Sequence, residues 1–78
     1  MITCEMRWRD NGDLVAFYTK DGIDYKAVMT RFKLGIMVDK SCPVKLVCER
    51  IRPNRKPCVE SMLSEFYDIT GETISAKS

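Results

Sequence analysis

The side chains with chemical reach in this 78-residue chain are four thiols, 11 carboxylates and 13 cations, and there is no histidine among them. Without an imidazole there is no general base for serine or cysteine triads of the usual kind, and no HExxH metal site. A thiol can still be activated by a helix N-terminus or by neighbouring cations. Cys58, beside Pro57 and close to Arg55 and Lys56, fits that description best, although a packing role is the simpler expectation.

Cys4, Cys42, Cys48 and Cys58 lack the CxxC spacing that lets one turn chelate zinc, so no metal is expected. Met1 to Trp8 has neither the basic start nor the apolar run of a secretion signal, so the thiols are expected to be free and the protein cytoplasmic. The glycines Gly12, Gly22, Gly35 and Gly71 are isolated, which leaves no phosphate-cradling loop and no expected cofactor. Glu65 and Asp68 read as a solvated helix side, and Asp10 and Asp13 as turn residues, so no acid and base pair emerges and no enzyme is expected.

Binding chemistry is better represented. The run from Glu49 to Lys56 concentrates Arg50, Arg52, Arg55 and Lys56 in an expected loop, which could meet phosphates or an acidic protein surface. A net charge of +2 is too mild to indicate nucleic acid by itself.

These groups need elements to position them. Ile2, Cys4, Met6 and Trp8 alternate with Thr3, Glu5, Arg7 and Arg9, the period of a half-buried strand. Asn11-Gly12 and Asp21-Gly22 then mark two hairpin turns, giving a meander over residues 2 to 29. Two registers are self-consistent. The preferred one has a tight Asn11-Gly12 turn and a three-residue Lys20-Asp21-Gly22 loop, and gathers Val15, Phe17, Tyr25, Ala27 and Met29 with Trp8 in the core. It sends Leu14, Ala16, Tyr18 and Val28 to the outer face beside Arg7 and Lys26. The mirror solution, a bulged first turn and a tight second one, separates Asp10 from Asp13 but turns Val15 and Phe17 outward.

Phe32, Leu34, Ile36 and Val38 favour a fourth strand. Val44, Val47, Cys48 and Ile51 fall at helical spacing behind Ser41 and Pro43, so a short helix is expected there, with a strand from Val44 as its rival. Pro57, the stripe Val59, Met62, Leu63 and Phe66, and Gly71 define a C-terminal helix that covers the sheet.

The resulting expectation is one small α+β domain over residues 1–71, a three- to four-stranded antiparallel meander with one helix on a face and a second short helix, followed by a flexible tail at 72–78. Function is expected to be non-catalytic binding, foremost of a protein as a regulator or inhibitor, through Arg7, Arg9, Leu14, Tyr18, Lys26 and Val28. The alternative is a nucleic-acid-binding module using Arg50, Arg52, Arg55 and Lys56 with the sheet-face arginines. No stretch is apolar enough to span a membrane, and a domain with so thin a core is compatible with homodimerisation.

Overall fold

The structure, a computed structural model, describes residues 1–39 and 45–77. It is an α+β fold in which one helix, α1 (Val59–Thr70), lies on a six-stranded mixed sheet. The strands are β1 (Ile2–Trp8), β2 (Leu14–Lys20), β3 (Ile23–Met29), β4 (Lys33–Val38), β5 (Lys45–Ile51) and β6 (Ile74–Ala76), in the spatial order β5-β4-β3-β2-β1-β6. All neighbours are antiparallel except β1 and β6.

The meander adopts the mirror register. Arg9 N–H donates to the Asp13 carbonyl at 2.8 Å, leaving a three-residue loop in which Gly12 takes φ 92°. Asn11 Oδ1 accepts the Asp13 N–H at 3.0 Å and steadies that loop. The second turn is the tight one: Lys20 pairs with Ile23, and Asp21 and Gly22 both take positive φ, 53° and 75°, the geometry a two-residue hairpin loop requires.

Changing both loops by one residue leaves the sides of β1 and β3 as expected and turns over β2 alone, but Trp8, expected in the core, is 53% exposed at the end of β1. Trp8 therefore opposes Leu14, and Tyr18 opposes Tyr25, while Phe17 stands opposite Lys26 on the other face. The core comprises Leu14, Ala16, Tyr18, Ala27, Met29, Leu34 and Ile36, closed by Met62 and Phe66 of α1. Tyr18 accounts for the choice: it stacks on Tyr25 and meets Phe66 edge-on, both at 5.2 Å between ring centroids.

β4 forms as expected, and the Thr30 hydroxyl helps to turn the chain into it by accepting the N–H groups of Phe32 and Lys33. The expected second helix is not there. Its residues from Lys45 form β5, which completes the hydrogen bonds of β4 and pairs Lys33 with Glu49 across the ladder. So short a helix is marginal without a packing partner, whereas Leu46, Val47 and Ile51 suit a strand. Ser41, Cys42, Pro43 and Val44, on which part of that expectation rested, lie outside the described residues.

α1 begins at Cys58 and ends at Gly71, whose left-handed φ of 73° lets its N–H reach the Tyr67 carbonyl at 2.7 Å. The segment expected to be a flexible tail instead supplies β6. Ile2 N–H donates to the Thr73 carbonyl, Lys77 N–H donates to the Cys4 carbonyl, and Ile74 is buried. One apolar residue and one strand edge are enough to order it.

Candidate functional site

The sheet has one face under α1 and one open face. On the open face the register aligns four rows of side chains across β1 to β5. The central rows are Arg7, Val15, Val28, Gly35, Glu49 and Glu5, Phe17, Lys26, Met37, Leu46. Val15 is the floor of this surface at 1% exposure, Phe17, Val28 and Met37 are half-buried, and Leu46 is 50% exposed. Gly35 matters through what it lacks: a Cβ there would sit 3.6 Å from Leu46 Cδ1, so the leucine lies across the glycine and extends the apolar centre to β5.

Charge surrounds that centre. Arg7 lies over the Phe17 ring, 5.2 Å from its centroid, and 3.9 Å from Glu5. Lys26 reaches Asp39 at 4.0 Å, and Thr19 Oγ1 donates to Asp24 at 2.7 Å. A groove of about 440 Å³ runs along this end, lined by Thr3, Glu5, Phe17, Thr19, Asp24 and Asp39.

The residues expected to form a binding surface are divided by the fold. Arg7, Lys26 and Val28 share the open face, and Arg9 lies at its hairpin end. Leu14 and Tyr18 do not join them, because they are buried beneath the helix at 0% and 7% exposure. Phe17, Met37 and Leu46 take their place. The sequence signal for these three was alternation alone, which does not say which side faces outward.

The basic run is divided as well. Arg52 is buried, with its Nε 3.3 Å from Glu65 Oε2 and its Nη1 donating to the Thr30 carbonyl at 3.2 Å. Arg50 pairs with Asp68 at 3.7 Å. Glu65 is thus the counter-ion of a buried arginine and not part of a solvated side, whereas Asp68 is exposed as expected, and the 460 Å³ groove between this loop and α1 is lined by carboxylates as well as arginines. Arg55 and Lys56 remain exposed, and the fold brings Arg31 to them: its carbonyl accepts the Arg55 N–H, its Nε donates to Asn54, and its guanidinium lies 5.8 Å from the Phe32 ring centroid. Trp8 and Phe32, 53% and 55% exposed, flank this end of the sheet.

Cys4, Cys48 and Cys58 are free thiols, and Cys42 lies outside the described residues. Burial pushes the Cys4 and Cys48 thiols up. Cys58 is exposed and caps α1, its Sγ 3.0 Å from Ser61 Oγ and accepting the Ser61 N–H at 3.4 Å; hydrogen bonds from the Ser61 side chain and backbone lower its pKa from the usual 9.0. A lowered pKa means thiolate at lower pH, so in native protein Cys58 should be alkylated by iodoacetamide before Cys4 and Cys48, with a rate that climbs below pH 9. Peptide mass mapping over a pH series checks this; faster labelling of Cys48 would contradict it. Among the described residues no group of three or more acidic or thiol side chains could hold a metal ion, and no helix is long and apolar enough to cross a membrane.

These features define a class: a helix-backed α+β domain whose mixed six-stranded sheet leaves one face open. No family model, curated protein or solved structure matches the chain.

Proposed function

We propose that this protein works without catalysis, in the cytoplasm, by binding a protein partner through the open face, as a regulator or inhibitor. One observation carries the reading: Phe17, Val28, Met37 and Leu46 form an apolar centre that α1 does not cover, crossed at β3 by Lys26 and bounded by Arg7, Glu5 and Glu49. Apolar centres bounded by charge are how protein interfaces are laid out. The free thiols of Cys4, Cys48 and Cys58 fit a reducing compartment.

A benzoylphenylalanine photocrosslinker in place of Phe17 tests this in the native cell, with one in place of Tyr67, exposed on the helix, as control. Position 17 should yield a discrete protein adduct that survives nuclease, and position 67 should not. Equal adducts at both positions would refute the open-face reading.

A second reading rests on the gathering of Arg31, Arg55 and Lys56 with the exposed rings of Trp8 and Phe32, since cations tracking phosphates and rings stacking on bases are how single strands are held. A nuclease-sensitive adduct from a crosslinker in place of Phe32, absent from position 17, would favour it. Asp10 and Asp13 at the same end, and the pairing of Arg50 and Arg52 within the protein, place it second.

A further inference from the structure

We propose that the open face pairs with a second copy of this chain, sheet against sheet, about a two-fold axis perpendicular to the strands. The proposal rests on the protein-binding reading and names the partner. It follows from the distribution of charge over the face. The two rows at the β1–β2 hairpin end carry Arg9, Lys33 and Arg7 against Asp13 and Glu49, a small positive excess, whereas the two rows at the far end carry Glu5, Asp24 and Asp39 against Lys26, a negative excess. Ends of opposite sign with an apolar centre between them make a surface complementary to itself when turned end over end.

The register gives the pairing. Met6, Ala16, Ala27 and Ile36 form one ladder row across β1 to β4. A two-fold axis along that row sets each strand over its own copy, running the opposite way. Arg7 then lies over Glu5 of the second copy, Val15 over Phe17, and Gly35 over Met37, with Lys33 directed at Asp39, while Lys26 meets Val28 and Glu49 meets Leu46 through their aliphatic stems. No like charges coincide. An axis parallel to the strands through β3 would instead set Lys26 against itself, so the first arrangement is favoured. Twist between packed sheets, about 30°, displaces the corners more than the centre and leaves the apolar contacts nearest the axis in place.

Size is sufficient. Five strands spaced about 4.8 Å apart and four rows about 6.8 Å apart cover roughly 500 Å² per copy. Two copies together reach about 1,000 Å², the lower bound for a specific interface, so the dimer should be concentration-dependent. The exposed edge of β5 is a poorer route to self-association. Antiparallel self-pairing centred on Glu49 or Arg50 would oppose like charges, and the irregularity between Ile36 and Met37 interrupts its ladder.

Sedimentation velocity from about 1 µM to about 500 µM should show the mass rising from one chain towards two, as a small interface requires. Phe17→Glu should abolish the rise, and Glu5→Arg should weaken association about tenfold or more by setting two cations against each other. Glu5→Arg combined with Arg7→Glu should restore it, which no general loss of surface quality would do. Circular dichroism confirms that each variant is folded; Glu5 and Arg7 are exposed, so those two variants keep the test valid if Phe17→Glu fails to fold. A monomer throughout, or a dimer indifferent to the Glu5 and Arg7 changes, overturns the proposal. If the protein is monomeric while the crosslinker at position 17 still captures a different protein, self-pairing falls and the protein-binding reading stands.

Discussion

Tyr18→Ala should destabilise the domain by roughly 3 to 5 kcal/mol, while Phe17→Ala should cost less than about 1 kcal/mol. The two aromatic residues are neighbours in β2 and point to opposite faces. Tyr18 is 7% exposed, stacked on Tyr25 and packed against Phe66, so its removal opens a cavity at the junction of sheet and helix. Burial also pushes its phenol well above the usual 10.0, with further contributions from Tyr25, Cys48 and Glu72, which marks the same dry environment. Phe17 loses only cross-strand neighbours and the guanidinium of Arg7 on a face that water already reaches. Domains of this length have total stabilities of about 4 to 12 kcal/mol, so the tyrosine variant should be largely unfolded in mild urea. Urea melts followed by circular dichroism decide the matter. Equal midpoints for the two variants would mean that the register of β2 is wrong.

Arg52→Ala should cost a comparable amount, roughly 3 to 5 kcal/mol, because it removes one partner of a buried ion pair and leaves the other uncompensated. The Arg52 side chain is 2% exposed and Glu65 is 21% exposed. Glu65 Oε2 is itself buried and makes no hydrogen bond, so charge is what offsets its desolvation. Arg52 also donates to the Thr30 carbonyl, tying the loop after β5 to the β3–β4 turn. Arg52→Lys should recover only part of the loss, since a single ammonium cannot serve both partners with the same geometry. Replacing Arg52 with Met and Glu65 with Leu together should cost far less than the sum of the single changes, as apolar substitutes for buried pairs commonly do. A thermal-melt double-mutant cycle measures this; additivity would show that the pair is not coupled.

The unequal behaviour of these residues reflects which parts of the fold depend on local interactions. The core side of β1 is evident from Ile2, Cys4 and Met6, and α1 from its stripe of Val59, Met62, Leu63 and Phe66 closed by Gly71. Both patterns sit within one element and need no partner to be read. β2 is different: Leu14, Ala16 and Tyr18 alternate as well as Val15 and Phe17 do, and two hairpin loops, each changed by one residue, exchange the faces without disturbing β1 or β3. Leu14 and Tyr18 were therefore expected on the binding surface, and Phe17 was expected in the core.

The sequence by itself determined the α+β class, the meander with its turn glycines, the C-terminal helix and the absence of an imidazole-based mechanism, because turn chemistry, periodicity and composition are local properties. Tertiary structure alone decided the rest. β5 replaced a helix once β4 offered an unpaired edge for Lys45 to Ile51, and β6 formed because Ile74 could be buried beside β1. Arg52 left the basic run for the interior because Glu65 and the Thr30 carbonyl, distant in sequence, converge on it. Strand pairing and charge compensation connect residues far apart along the chain, and their energies arise only when those residues meet.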